Sequence, residues 1–173
     1  MNRLVQAVAV LGWALSSVSW ATTLERLSLD EMIQKSTTIV RGTVGAMSAR
    51  QRGSVIYQEV QIRVVERLKG AGGATADVLV PGGVLNGVRQ TFSGVPQLSQ
   101  GSEYVFFLWT GSRGSTQIIG LAQGVFRLSL DSKGAAQVQR AAITEGVGAS
   151  IEAIAMSLDA LRERVRRVAG ARE

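Results

Sequence analysis

Between Val55 and Gly70 the chain reads VIYQEVQIRVVERLKG, and from Val60 its apolar side chains fall on alternate positions. Val60, Ile62, Val64 and Leu68 are apolar, while Gln61, Arg63, Arg67 and Lys69 stand between them. A period of two puts the first set on one face of a β-strand and the second in water. A strand of about fourteen residues spans roughly 46 Å, well beyond the usual length. A small domain cannot keep such a strand flat and bury one side of it. The strand is therefore expected to curl round a small closed or half-closed barrel and to contribute to both walls. Near its start the phase slips from odd (Val55, Tyr57) to even (Val60, Ile62), which predicts a β-bulge at Gln58-Glu59.

The chain has 173 residues, 46% hydrophobic and only 5% aromatic, so its core is built mostly from aliphatic side chains. That length suffices for one domain with a sizeable core. It has no Cys and no His. The first absence removes disulfides, a thiol nucleophile and a lipoprotein anchor. The second removes the usual general base and the commonest metal ligand, and the two together exclude an ordinary zinc site. Met1 to Ala21 has the form of a secretory signal peptide. Arg3 leads a mostly apolar run from Leu4 to Val18, and Ser19-Trp20-Ala21 places cleavage after Ala21. Cleavage leaves residues 22–173 as a single domain in which Trp109 is the only tryptophan. The net charge of +6 falls to +5 without Arg3. That basicity suits nucleic acid, anionic lipid or acidic polysaccharide. Export to the periplasm or medium argues against nucleic acid. The longest later apolar run, Tyr104 to Trp109, is of strand length, so no membrane span is expected after cleavage.

Taken in order, Thr22 to Ser36 should hold a short helix, with Ser28 and Glu31 as a capping box and Leu29, Met32 and Ile33 as its apolar stripe. Thr38 to Met47 is a strand with Gly42 at a bend. Ser48 to Ser54 is a polar turn into the long strand. Strands follow at Ala76–Val80, Val88–Phe92, Tyr104–Trp109, Gln117–Gly120, Val125–Leu130 and Ala136–Ala141, with a type II turn at Pro81-Gly82-Gly83. A C-terminal helix starts at the Ser157 cap and carries Leu158, Leu161, Val165 and Val168 on one face. Ile151 to Met156 leaves open an extension back to Ser150.

Residues able to do chemistry are scattered. Glu59, Glu66, Asp77 and Glu103 lie on or beside strands, and no spacing puts two of them across a cleft as a glycosidase needs. No G-x-S-x-G occurs, and without His a Ser–His triad cannot form. Lys35, Lys69 and Lys133 leave a Ser–Lys dyad formally open, but Lys69 and Lys133 sit in Gly-containing loops, where a depressed pKa is hard to arrange. The glycines from Pro81 to Gly87 miss the phosphate-loop pattern and serve as turns. Neither catalytic residues, nor a metal site, nor a cofactor is expected. Two features suit binding instead. Tyr57, Phe92 and Trp109 are the aromatics placed to form a face at a barrel mouth. Arg162, Arg164, Arg166 and Arg167 make the terminal helix basic, which suits either a solvated face or an acidic partner.

Several segments carry a family likeness. Thr38-Ile39-Val40-Arg41-Gly42-Thr43-Val44 is followed by the alternating strand ending Leu68-Lys69-Gly70, and then by Val80-Pro81-Gly82-Gly83. Gly94-Val95-Pro96, Gly101-Ser102-Glu103-Tyr104, Phe106-Phe107-Leu108, and Gly120 to Gly124 with Phe126 continue it. This pattern is similar to that of a group of exported bacterial proteins, and its first half resembles the netrin-like modules, which include the tissue inhibitors of metalloproteinases. The resemblance runs from about Leu29 to Leu128 and implies an OB-type barrel. It also implies a protein partner, a metallopeptidase of the matrixin type. Those inhibitors hold zinc through an N-terminal disulfide-linked Cys. Here the mature start is Thr22-Thr23, so that mechanism does not carry over.

The expectation is a mainly β chain, a small OB-like β-barrel with a short N-terminal and a C-terminal helix. It would act as an exported, non-catalytic module that binds a protein partner. The alternative is a domain for envelope or anionic polysaccharide.

Overall fold

Ser28 starts the first helix, α1 (Leu29–Lys35), through a reciprocal cap. Its Oγ accepts from the Glu31 amide at 3.3 Å while the Glu31 carboxylate accepts from the Ser28 amide at 2.8 Å. Two of the amides that a helix start leaves unpaired are thereby satisfied, and Leu29, Met32 and Ile33 turn inward. The structure is a computed structural model that describes residues 25–145 and 149–171. The expected signal peptide and its cleavage site lie outside those residues.

Among the described residues twelve strands follow. They are β1 (Thr38–Arg52), β2 (Val55–Lys69), β3 (Thr75–Pro81), β4 (Gly83–Leu85), β5 (Val88–Gln90), β6 (Glu103–Thr110), β7 (Thr116–Ile118), β8 (Val125–Leu130), β9 (Ala136–Arg140), β10 (Ile143–Glu145), β11 (Ala149–Ile151) and β12 (Ile154–Ser157). The chain is thus mainly β, and α2 (Leu158–Gly170) closes it. Eight strands form one sheet in the order β1-β2-β3-β7-β6-β8-β9-β12, and β1 also pairs with β6. Strands β1, β2, β3, β7 and β6 therefore lead from neighbour to neighbour back to β1. The link between β3 and β7, at Leu79 and Gln117, is parallel. Strand β8 pairs with β6 from Tyr104 to Phe106, while β7 takes β6 from Leu108 onward. From β8 the sheet runs outward through β9 to β12.

Two cores result, one on each side of the wall made by β1 and β6. Val40, Val44, Val60, Ile62, Val78 and Phe106 pack together on one side. Met32, Ile33, Ile39, Phe107, Phe126 and Leu161 pack on the other, under the two helices. Ile39 and Val40 thus point into different cores, as do Phe106 and Phe107. A strand buried on both faces loses its alternation, which is why β6 reads as an unbroken apolar run.

The long strand behaves as expected in its centre. Val60 and Ile62 are fully buried and Arg63 is exposed. Burying such aliphatic side chains is worth about 1.5 to 3 kcal/mol each. Further on the strand changes core: Val64 packs with Val60, whereas Leu68 packs under the helices, and both are only partly buried.

The bulges differ from expectation. Glu59 and Gln58 pair without interruption to Ser48 and Ala49 on one side and to Leu79 and Val80 on the other. Ile56 is buried, so the even phase runs unbroken from the start of the strand. The register slips elsewhere, between Ile39 and Val40, between Arg41 and Gly42, and between Val44 and Met47. The first two slips place the extra residue on β2, at Leu68 and Val65, and the third places it on β1. The curl is built where β1 must serve β2 and β6 at once. At Gly42 an added Cβ would lie 2.6 Å from both the Arg63 carbonyl oxygen and the Ile62 Cγ2, so only glycine allows the two strands to close.

Other boundaries move as well. β1 continues to Arg52, and the turn shrinks to Gly53-Ser54, because the polar stretch pairs along β2 out to Val55. The segment expected as Val88–Phe92 is half of a hairpin: β4 pairs with β5 across Asn86-Gly87, both with positive φ (50° and 79°), a type I′ turn. The strand expected at Gln117–Gly120 is Thr116–Ile118, and Gly120 turns left-handed. Ile151 to Met156 is no helical extension, since Ile154 to Ser157 pairs with β9. The Ser157 Oγ accepts from the Ala160 amide at 3.1 Å, which starts α2 at Leu158.

Candidate binding face

A row of paired residues crosses four strands, Glu59 to Leu79 to Gln117 to Trp109. Paired residues share a face of the sheet, and Tyr57, two positions before Glu59, lies on that same face. Tyr57, Leu79, Gln117 and Trp109 thus stand opposite to the core that holds Val60, Ile62 and Val78. Three depressions border these aromatics, two on this face and one, lined by Met47 and Gln58, on the face of Val60. Tyr57 lines the first, of about 90 Å³, with Leu79, Pro81, Pro96 and Leu121. Phe92 lines the second, of about 200 Å³, and shares Pro81 and Pro96 with the first. Trp109 lines the third, of about 380 Å³, with Lys35 and Ile119, and shares Gln117 with the first. Tyr57 and Trp109 thus border a strip on this face, and Phe92 borders the depression that adjoins its end at Pro81 and Pro96. Phe92 and Trp109 are 43% and 48% exposed, large apolar surface left in water.

Two local devices shape the strip. The Trp109 ring lies against Gly111, where a Cβ would come within 2.9 Å of Cη2, so the indole is held although it is exposed. Leu121, which follows the left-handed Gly120, itself has φ of 53°. A branched side chain in that region costs about 1 to 2 kcal/mol. The turn is fastened by the Ala122 amide, which donates to the Gly94 carbonyl at 2.8 Å. The buried Gln123 completes it, accepting from the Leu27 amide at 2.9 Å and donating to the Glu25 carbonyl at 2.8 Å. The strain is spent on placing Leu121 beside Tyr57. Leu121 carries no sequence signal beyond the glycine before it.

The basic helix is wired inward. The Arg162 guanidinium donates to both carboxylate oxygens of Glu66 at 2.7 Å and also to Asp159. Arg164 grips Asp30 at 2.7 and 3.1 Å, and Arg166 pairs with Glu163 at 2.6 Å. Arg167 is exposed in the last turn. The hydrogen bonds from Arg162 hold the Glu66 carboxyl below its ordinary value, and those from Arg164 do the same for Asp30. Arg162 and Arg164 thus clip α2 to β2 and to α1.

Several of the other polar candidates are also engaged. Glu59 meets Arg50 at 2.9 Å and Arg52 at 3.8 Å, and Glu103 meets Arg41, which also reaches Glu66 at 3.9 Å. Asp77 is exposed beside Glu59 in a shallow groove. Lys69 donates to the Ile33 and Gln34 carbonyls at 2.6 and 3.2 Å, at the negative end of α1. Lys35 pairs with Glu25 at 3.4 Å, and Lys133 stands in an exposed hairpin turn. Gly82 donates its amide to the Ile56 carbonyl at 2.7 Å. No group of three or more carboxylates comes together as a metal cage among the described residues.

No protein-family model matches the chain, and no curated protein matches it.

Proposed function

We propose that this chain is an exported, non-catalytic binding module of OB-type, netrin-like architecture that recognises a protein partner through the strip bordered by Tyr57 and Trp109 and the adjoining depression at Phe92. The circuit β1-β2-β3-β7-β6, with its single parallel link, supports the OB-type assignment, because it is the strand order of that five-stranded barrel. The strip starts on the second and third strands, which such barrels use for ligands, and continues over β7 and β6.

The observation that carries the reading is the adjacency of two apolar clefts, at Tyr57 and Trp109, and a more polar one at Phe92, with Phe92 and Trp109 both exposed. Protein interfaces draw most of their energy from a few aromatic anchors seated in pockets. A metallopeptidase is the partner class that the netrin-like resemblance suggests. Without an N-terminal Cys, contact with it would run through this strip rather than through the zinc. Anionic polysaccharide is the weaker reading, since Arg162, Arg164 and Arg166 already have carboxylate partners within the chain.

The test is capture of exported proteins on immobilised wild-type chain and on a Phe92→Ala/Trp109→Ala double variant that melts at the wild-type temperature. A metallopeptidase held by the first and lost from the second is expected. Equal recovery on both, or retention of anionic polysaccharide alone, overturns the reading.

A further inference from the structure

Away from that strip, a guanidinium is buried with no carboxylate partner among the described residues. Arg140, at the end of β9, is 5% exposed. Its Nη1 donates to the Gln123 carbonyl at 3.2 Å and its Nη2 to the Glu152 carbonyl at 2.9 Å. Its Nε is buried with no hydrogen-bond partner. The guanidinium sits 5.5 Å from the centroid of the Phe126 ring. Among the described residues no carboxylate forms an ion pair with it. Burial pushes its pKa down, but a guanidinium stays charged at any ordinary pH. A buried cation satisfied only by two carbonyls and a ring face is costly unless a counter-charge comes from outside the chain.

Arg140 also lines a cavity of about 430 Å³. Leu27, Leu29, Ile151, Ile154 and Met156 give the wall its apolar part, and Arg26 also lines it. Two acidic residues reach the cavity, and neither sits on Arg140. Glu31 is committed to the Ser28 cap, and Glu152 contributes its carbonyl to Arg140. Arg164, also at the wall, is committed to Asp30. A half-open cavity of this size, with a largely apolar surface and a buried guanidinium in its wall, has the form of a small-molecule site. It shares no lining residue with the aromatic strip.

The geometry points to a second, independent binding site here, for a small organic carboxylate with an apolar body. The carboxylate pairs with the Arg140 guanidinium, and the body lies along Ile151, Ile154 and Met156. A neutral or cationic molecule of the same shape leaves the buried charge uncompensated and is rejected.

The test is isothermal titration of the purified protein with octanoate, octan-1-ol, octylammonium and acetate. Octanoate is expected to saturate and to bind at least tenfold more tightly than each of the other three. Arg140→Met keeps the side-chain stem and is expected to lose that affinity at least tenfold while melting at or above the wild-type temperature. Met156→Trp, which fills the cavity from a partly buried position, is expected to abolish binding even if Arg140→Met fails to fold. The Phe92→Ala/Trp109→Ala variant is expected to bind octanoate as wild type does, so this site stands or falls apart from the partner-binding strip. Octan-1-ol binding as tightly as octanoate, undiminished binding to Met156→Trp, or no saturable binding to wild type would overturn the assignment.

Discussion

Arg162 of α2 meets Glu66 of β2 side on, each carboxylate oxygen accepting one N–H at 2.7 Å. The pair joins residues 96 positions apart and ties the terminal helix to the sheet it covers. Glu66 has its pKa lowered by Arg162, so the pair stabilises the fold in full above the ordinary carboxylate value of 4.5. That contribution is lost as pH falls through the lower value of the folded state. Glu66→Gln is therefore expected to cost about 1 kcal/mol at neutral pH, allowing for the solvent that reaches the pair. The wild-type and variant stabilities, followed by urea unfolding from neutral pH downward, should converge in acid. A constant gap across that range would mean that Glu66 acts by packing alone.

Ile62 and Arg63 are adjacent on β2, one fully buried and one exposed. Ile62→Asp places an unpaired charge among Val44, Val60 and Phe106 and is expected to unfold the chain. Arg63→Asp should leave the melting temperature within a few degrees, as surface changes usually do. Equal melts for the two variants would show the register of the long strand to be wrong.

Gly42→Ala tests the closure of β1 between β2 and β6. A methyl group there must displace the Arg63 carbonyl, and overpacking of this kind costs about 1 to 3 kcal/mol. Gly73→Ala, where nothing lies within 4 Å, is the control and should be nearly neutral. Denaturant midpoints of the two variants separate these outcomes.

At Leu121 the backbone, rather than the side chain, sets the tolerance. With φ of 53°, Leu121→Val should be destabilised by about 1 to 3 kcal/mol, because β-branching aggravates the strain. Leu121→Asn, which tolerates the left-handed region, should melt closer to wild type. The reverse order would remove the strain argument for this turn.

The first helix start was legible because its cap is local, Ser28 with Glu31 within one turn, whereas the Ser157 cap of the second left a start near Ser150 open. Strand β8 and the buried run of β6 were legible because hydrophobicity carries them. The bulges were not, because a register slip belongs to two strands and is invisible in either alone. The strands β10 to β12 are too short to show a period, and their pairing is decided by what lies beside them. In the same way Tyr57, Phe92 and Trp109 could be named from residue type, but their adjacency depends on Pro81, Pro96 and Gln117 arriving from separate segments. Arg140 gave no sign at all, since only the packing of Phe126 and Gln123 around it makes it buried.

The binding strip is tested most directly at Trp109 itself. With fluorinated tryptophan incorporated, the ¹⁹F resonance of Trp109 can be followed as the captured partner is added. A shifted resonance that saturates at one partner per chain, and that is lost when Phe92→Ala weakens the complex, is the expected result. A resonance that stays in place while the partner demonstrably binds would contradict the account.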